Sequence, residues 1–177
     1  MARIAVYFGS TTGTCEELAG KIGSALAGAE IRNVTELDNS AEAYDMLVLG
    51  TSTWGSGDLQ DDWYSGVETL KKLNLHGKKV AVFGCGDSSS YPDTFCSAMK
   101  AIYDAAKEAG ATIVGDEVDA AGYSFDASDA VVDGKFVGLA IDEINEADKT
   151  DERIAAWIDA IKKFYHSGVK YSMLHSA

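Results

Sequence analysis

Apolar and polar positions run along this chain in two rhythms. Residues 4–8 (Ile4, Ala5, Val6, Tyr7, Phe8) and 46–49 (Met46, Leu47, Val48, Leu49) are unbroken apolar runs, the pattern of strands buried on both faces of a parallel sheet. Residues 80–83 and 111–115 repeat it, and residues 29–34 do so more weakly. Between these runs the apolar residues fall three or four apart, as in Leu18, Ile22 and Leu26, Trp63, Val67 and Leu70, or Phe95, Met99, Ile102 and Ala106. That spacing predicts amphipathic helices. The first carries Glu16 and Glu17 at its positive end, and the last, with Ile154, Trp157, Ile158, Ile161, Phe164 and Tyr165 on one face, is capped by Thr150 or Asp151. The pattern is lost over residues 118–134 and resumes as a strand-like run at 135–141, so the intervening segment reads as an insertion. Five strands alternating with helices predict an α/β fold, a doubly wound five-stranded parallel sheet in the order 2-1-3-4-5 with helices on both faces. Residues 1–166 read as a single domain and 167–177 as a C-terminal tail.

Composition narrows the picture in three ways. The 177 residues suit one domain with a substantial core. A formal charge of -13 repels nucleic acid and anionic membrane surfaces and attracts positively charged partners. Three cysteines (Cys15, Cys85, Cys96) form no CxxC pair, which supports neither a disulfide framework nor a zinc site and points to a reducing compartment. The first apolar run is too short for a signal peptide or a membrane span, so a cytoplasmic protein is expected.

The chemistry is concentrated in three loops at strand carboxyl ends, at residues 9–15, 51–58 and 84–93. In the predicted strand order these lie side by side, where open α/β sheets bind their ligands. Gly9-Ser10-Thr11-Thr12-Gly13-Thr14-Cys15, between a strand and a helix start, gathers backbone N–H groups and hydroxyls around an anion. The Walker lysine of a triphosphatase is absent, and no lysine or arginine occurs between residues 9 and 20. A monophosphate held by N–H groups and by Ser10, Thr12 and Thr14 fits that inventory. A dinucleotide fingerprint is missing as well, and a receiver domain would need acids where Gly9-Ser10 and Gly50-Thr51 stand. The second and third loops each present one aromatic, Trp54 and Tyr91, among small residues. Alone, either is an ordinary loop aromatic and the first loop an ordinary turn. Together they make a slot in which a flat ring system such as a flavin stacks.

Ser10-Thr11-Thr12-Gly13-Thr14, Thr53-Trp54-Gly55, Leu59-Gln60-Asp61-Asp62-Trp63 and Phe83-Gly84-Cys85-Gly86-Asp87, followed by Tyr91 and Phe95, resemble flavodoxin. Residues 134–142 and 150–157 resemble the long-chain type, in which an insertion interrupts the fifth strand. The resemblance implies a low-potential one-electron carrier with non-covalent FMN, cycling between semiquinone and hydroquinone and no enzyme in its own right. It places the phosphate at Ser10, Thr11, Thr12, Gly13, Thr14 and Cys15. It places the isoalloxazine between Trp54 and Tyr91, and its polar edge at Ser52, Thr53, Gly55, Ser56, Gly57, Cys85, Gly86 and Asp87, with later contacts at Thr94 and Cys96. Cys15 stands where the family usually has threonine, and a thiol is the weaker donor. In related proteins the peptide at Gly55 rotates to offer its carbonyl to the reduced ring. Implied partners are redox proteins with basic docking faces, a reductase as donor and an oxidoreductase as acceptor, meeting a monomer that engages neither nucleic acid nor membrane. No catalytic or metal-ligating residues are expected. The competing reading is an FMN-dependent quinone or haem-precursor oxidoreductase, but His76, His166 and His175 all lie outside the three loops.

Overall fold

The computed structural model describes residues 2–26 and 28–176, with backbone alone from residue 166 onward. Strands β1 (Ile4–Gly9), β2 (Glu30–Asn33), β3 (Met46–Trp54) and β5 (Lys79–Cys85) pair in parallel in the order β2-β1-β3-β5. The far side of β5 pairs with two short segments, β6 (Thr112–Ile113) at its start and β10 (Leu139–Ile141) at its end. Together these make one interrupted fifth strand, as the long-chain pattern requires. Between them β7 (Val118–Asp119), β8 (Val131–Val132) and β9 (Lys135–Phe136) form a separate antiparallel sheet in the order β7-β9-β8. The single run anticipated at 135–141 is therefore divided between two sheets. Gly138 marks the division, because a Cβ there would stand 2.0 Å from the Val82 carbonyl oxygen.

Helices α1 (Thr14–Ala25), α2 (Asp62–Lys72), α3 (Met99–Glu108) and α4 (Thr150–Ser176) cover the sheet. Alternation of side chains along the strands assigns the faces. Tyr7, Leu47, Leu49, Val80 and Val82 pack with residues of α2 and α3, such as Trp63, Leu70, Met99 and Ile102. Ile4, Val6, Val48, Ala81 and Phe83 pack with residues of α1 and α4, such as Leu18, Ile22, Trp157 and Ile161. Two glycines at the carboxyl end of the sheet let large rings approach. A Cβ on Gly50 would meet the Phe83 ring at 2.0 Å, and one on Gly9 would meet Trp63 at 2.6 Å. Trp63, fully buried, donates its indole N–H to the Gly50 carbonyl at 2.7 Å.

The insertion is joined to the domain by an aromatic cluster. Phe95, Tyr123, Phe125 and Phe136 have ring centroids 4.9–6.1 Å apart, and the Tyr123 hydroxyl donates to the Ala140 carbonyl at 2.7 Å. Arg153 of α4 stacks 3.8 Å over the Tyr123 ring and donates to the Gly122 carbonyl. Helix α4 continues through most of the segment read as a tail, with no break in its backbone at residue 166. The side chains of His166 and His175 lie outside the described residues.

Candidate functional site

Because β1, β3 and β5 are adjacent and parallel, the segments that follow them emerge together at one edge of the sheet. In the first, Gly13 adopts φ 93°, and the first intrahelical bond of α1 runs from the Glu17 N–H to the Gly13 carbonyl. The N–H groups of Thr14, Cys15 and Glu16 are thereby left to the helix terminus, where the helix dipole favours an anion. The Ser10 hydroxyl accepts from the Gly13 N–H at 3.1 Å, and the Thr11 hydroxyl accepts from Gln60 Nε2 at 3.2 Å. The hydroxyls of Thr12 and Thr14 have no hydrogen-bond partner among the described residues, and Thr11, Thr12 and Gly13 are exposed. Cys15 is fully buried. Its thiol is pushed well above the usual range, first by its hydrogen bond with Cys85 and then by burial. The Cys15 side chain thus faces the core, and only its N–H belongs to the loop.

The second segment departs from expectation. The loop anticipated at 51–58 is shorter, because β3 runs on to Trp54 and turns back antiparallel into β4 (Asp58–Leu59), pairing Thr53 with Leu59 and Trp54 with Asp58. The β-branched Thr51 and Thr53 suit an extended strand, and β5 pairs with this stretch as far as Ser52. The turn rests on Gly55 and Gly57 at φ 49° and 97°. Trp54 is 40% exposed, its indole N–H given to the Ser52 hydroxyl at 2.9 Å. Ser56 is exposed at the turn. The Gly55 carbonyl accepts from the Thr94 hydroxyl at 3.3 Å, and the Thr53 hydroxyl accepts from the Ala98 N–H.

In the third segment Gly86 and Asp87 are half-buried and Tyr91 is 46% exposed. Cys85 is buried at the end of β5. Cys96 is fully buried at φ 55°, with its thiol directed to the Ile141 carbonyl. Its side chain supports the segment from behind. Burial is the main cause holding its thiol well above the usual range, so neither Cys15 nor Cys96 supplies a thiolate nucleophile. The Asp87 carboxyl is held below its ordinary value, chiefly by a hydrogen bond from Asn145.

Several residues take supporting roles that the sequence does not display. Gln60, 2% exposed, reaches the Thr11 hydroxyl with its amide and the Thr51 hydroxyl with its N–H, joining the first two segments. Asp142 and Asn145 lie beyond the insertion and bind the third. Cavity size alone does not locate the site. A cavity of about 480 Å³ lined by Val118, Tyr123, Leu139, Arg153, Trp157 and Phe164 shares no residue with the three segments. Among the described residues no group of three or more histidines, cysteines or carboxylates is placed to hold a metal ion.

Comparison with known proteins agrees with this geometry. Residues 6–157 match the family model for flavodoxin. The chain is 42% identical over 171 residues to flavodoxin 1 of Escherichia coli strain K12, and 41% identical over 171 residues to a flavodoxin of Klebsiella pneumoniae. Both alignments cover 94% of this chain and 96% of the relative. Among solved structures, Fusobacterium nucleatum flavodoxin bound to flavin mononucleotide superposes with a TM-score of 0.87 at 28% identity, over 92% of this chain and 98% of that one. A family match across most of the sequence, together with a sheet order and three loops of the expected kind, leads to one conclusion: this chain belongs to the flavodoxin family.

Proposed function

We propose that this protein is a low-potential one-electron carrier that holds FMN non-covalently across the three segments. The observation that supports this most directly is their juxtaposition. A loop with free hydroxyls and N–H groups stands beside two exposed aromatics, Trp54 and Tyr91, on the next two segments. Flavodoxins transfer electrons between redox proteins and turn over no substrate of their own. Bound here, FMN would supply the one-electron chemistry of its isoalloxazine ring.

The residues divide the work. Ser10, Thr12, Thr14 and the N–H groups of 11–15 hold the phosphate without a cation, and Thr11 is turned toward Gln60 to shape the loop. Trp54 and Tyr91 cover the ring faces, each stacking contact contributing roughly 1 kcal/mol beyond burial. Ser52, Thr53, Gly55, Ser56, Gly57, Cys85, Gly86, Asp87 and Thr94 border its polar edge. Asp58, Asp61, Asp62, Asp87 and Asp93 surround the same edge in sequence without a basic neighbour, so added negative charge on the ring is disfavoured and the lower potential falls. The same acids form the face that meets a reductase or acceptor carrying basic residues. No helix among the described residues is long and apolar enough to cross a membrane. The proposal completes with a monomer in the cytoplasm that engages no nucleic acid and no membrane, its domain ending near residue 166.

Titration of the apoprotein with FMN, followed by loss of flavin fluorescence, should give one site per chain. Potentiometric reduction should then resolve two separate one-electron steps. A single two-electron step, or steady reduction of a quinone by a nicotinamide donor without a reductase, would overturn the carrier reading. Transfer rates to a basic redox partner should fall as ionic strength rises, and a salt-independent rate would remove the acidic docking face.

A further inference from the structure

Asp142 is the only aspartate among the buried described residues, at 0% exposure. It stands just past β10, with the whole insertion between it and the rest of the site in sequence, and it lies against the segment that follows β5. Its carboxylate accepts from the Ser88 N–H at 3.3 Å and from the Ser88 hydroxyl. It also accepts from the Asn145 N–H at 3.0 Å and from Asn145 Nδ2 at 3.1 Å. Such saturation by donors is what allows a buried carboxylate to stay in place.

Asn145 carries the connection onward. Its Nδ2 lies 2.9 Å from Asp87 Oδ1, and its Oδ1 accepts from the Ser89 hydroxyl at 2.8 Å. The two amide protons can therefore serve one carboxylate each, separating two negative charges that would otherwise repel. Asp87 Oδ1 in turn accepts from the N–H groups of Ser89 and Ser90 at 3.1 Å each, and the Asp87 carbonyl accepts from the Tyr91 N–H at 2.9 Å. A continuous chain of hydrogen bonds thus runs from Asp142 through Asn145 and Asp87 to the backbone of Tyr91. The Gly86 N–H, bonded to the Ile141 carbonyl at 3.0 Å, anchors the start of the same segment to β10.

We propose that Asp142 and Asn145 are positioning residues for flavin binding, a latch that fixes residues 86–91 and so sets where Tyr91 and Asp87 stand beside the ring. The inference rests on the FMN site described above and assigns it two residues that touch no ligand. It makes the interrupted fifth strand part of the site, since the latch begins where β10 ends.

The test uses Asn145→Ala, an exposed position whose loss leaves the core intact, and Asp142→Asn, which sets an amide against the Asn145 amide. Ile102→Val, on the buried face of α3, controls for general destabilisation. FMN dissociation constants and the visible circular dichroism of bound flavin are measured on the full chain. Losing charge-assisted hydrogen bonds from the latch should weaken FMN about tenfold and alter the flavin dichroism in both variants, with the control unchanged in both readouts. Wild-type binding with unaltered affinity and dichroism in Asn145→Ala would overturn the latch alone, even if Asp142→Asn failed to fold. A wild-type chain that took up no FMN would overturn the site and the latch with it.

Discussion

At residues 10–15 two hydroxyls and the helix-terminal N–H groups are left without partners, whereas at 86–91 nearly every polar group is engaged. Thr12 and Thr14 keep their hydroxyls free beside an open helix terminus. Asp87, Ser88, Ser89 and Ser90 are all tied to Asp142, to Asn145 or to each other. Two loops of similar composition beside one cleft therefore do different work. The first is shaped lightly, by Ser10 and Gln60, and leaves its donors to an incoming anion. The second satisfies its donors internally and offers a fixed surface. A small-residue loop is thus not a ligand loop by composition, and the deciding quantity is how many of its donors the protein itself has already used.

The strongest challenge to that contrast is a negative charge in the open loop. Thr12→Asp sets a carboxylate among N–H groups meant for phosphate. At about 4 Å and an effective dielectric near 20 the repulsion is about 4 kcal/mol, so FMN affinity should drop about a thousandfold in a fluorescence titration. A drop under about tenfold would place the anion elsewhere.

Trp63→Phe acts on the support beneath the open loop, where the indole packs against Gly9. It removes the indole donor from the buried Gly50 carbonyl and should cost about 1–3 kcal/mol in urea-induced unfolding. FMN stabilises the folded chain by mass action, so the loss should be visible in apoprotein and holoprotein alike.

The closed loop has its own signature in acid. The Asp87 carboxyl lies below its ordinary value of 3.8, principally because Asn145 donates to it. A depressed carboxylate pKa contributes stability that is fully present above the unfolded value and is lost as pH falls through the folded one. The stability gap between wild type and Asn145→Ala should accordingly be widest near neutrality and should narrow as pH falls below about 3.8. Denaturant midpoints at neutral and acid pH measure this, and a gap independent of pH would detach Asn145 from the Asp87 charge.

Thr94→Val should have the smallest effect. It removes the hydroxyl donor from the Gly55 carbonyl, a bond of 3.3 Å and hence weak. The freed carbonyl can turn toward a reduced ring more easily, raising the first one-electron potential by roughly 20 mV if about half a kcal/mol is released. An unchanged potential would show that this hydroxyl does not restrain the turn.

Most of this architecture could be read from the chain because it depends on local pattern. The buried runs at 4–8, 46–49 and 80–83 became β1, β3 and β5, and the three-to-four spacing located their helical neighbours, except that α3 starts at Met99 and leaves Phe95 in the preceding turn. The lack of lysine near Gly13 is legible in the sequence and points to an anion held by N–H groups and hydroxyls. Other features depend on contacts that sequence does not display. Polar residues at 51–54 read as loop, yet pairing with β5 and β4 holds them extended. Cys96 sits among candidate contacts and is turned inward by a positive φ that no neighbouring residue announces. Asp142 and Asn145 reach Ser88 and Asp87 across more than fifty residues, and no periodicity connects them.

The interrupted strand also bears on how the chain can change its length. Segments β6 and β10 are each registered against β5 independently, so residues 114–138 form a closed excursion whose two ends are pinned. The entropy of closing such a loop grows only with the logarithm of its length, about 0.6 kcal/mol for each doubling. One aromatic contact of the kind made by Phe95 with Phe125 and Phe136 is of comparable size. The sheet edge can therefore tolerate additions between β6 and β10 at little thermodynamic cost, while the three segments at its carboxyl end keep their alignment.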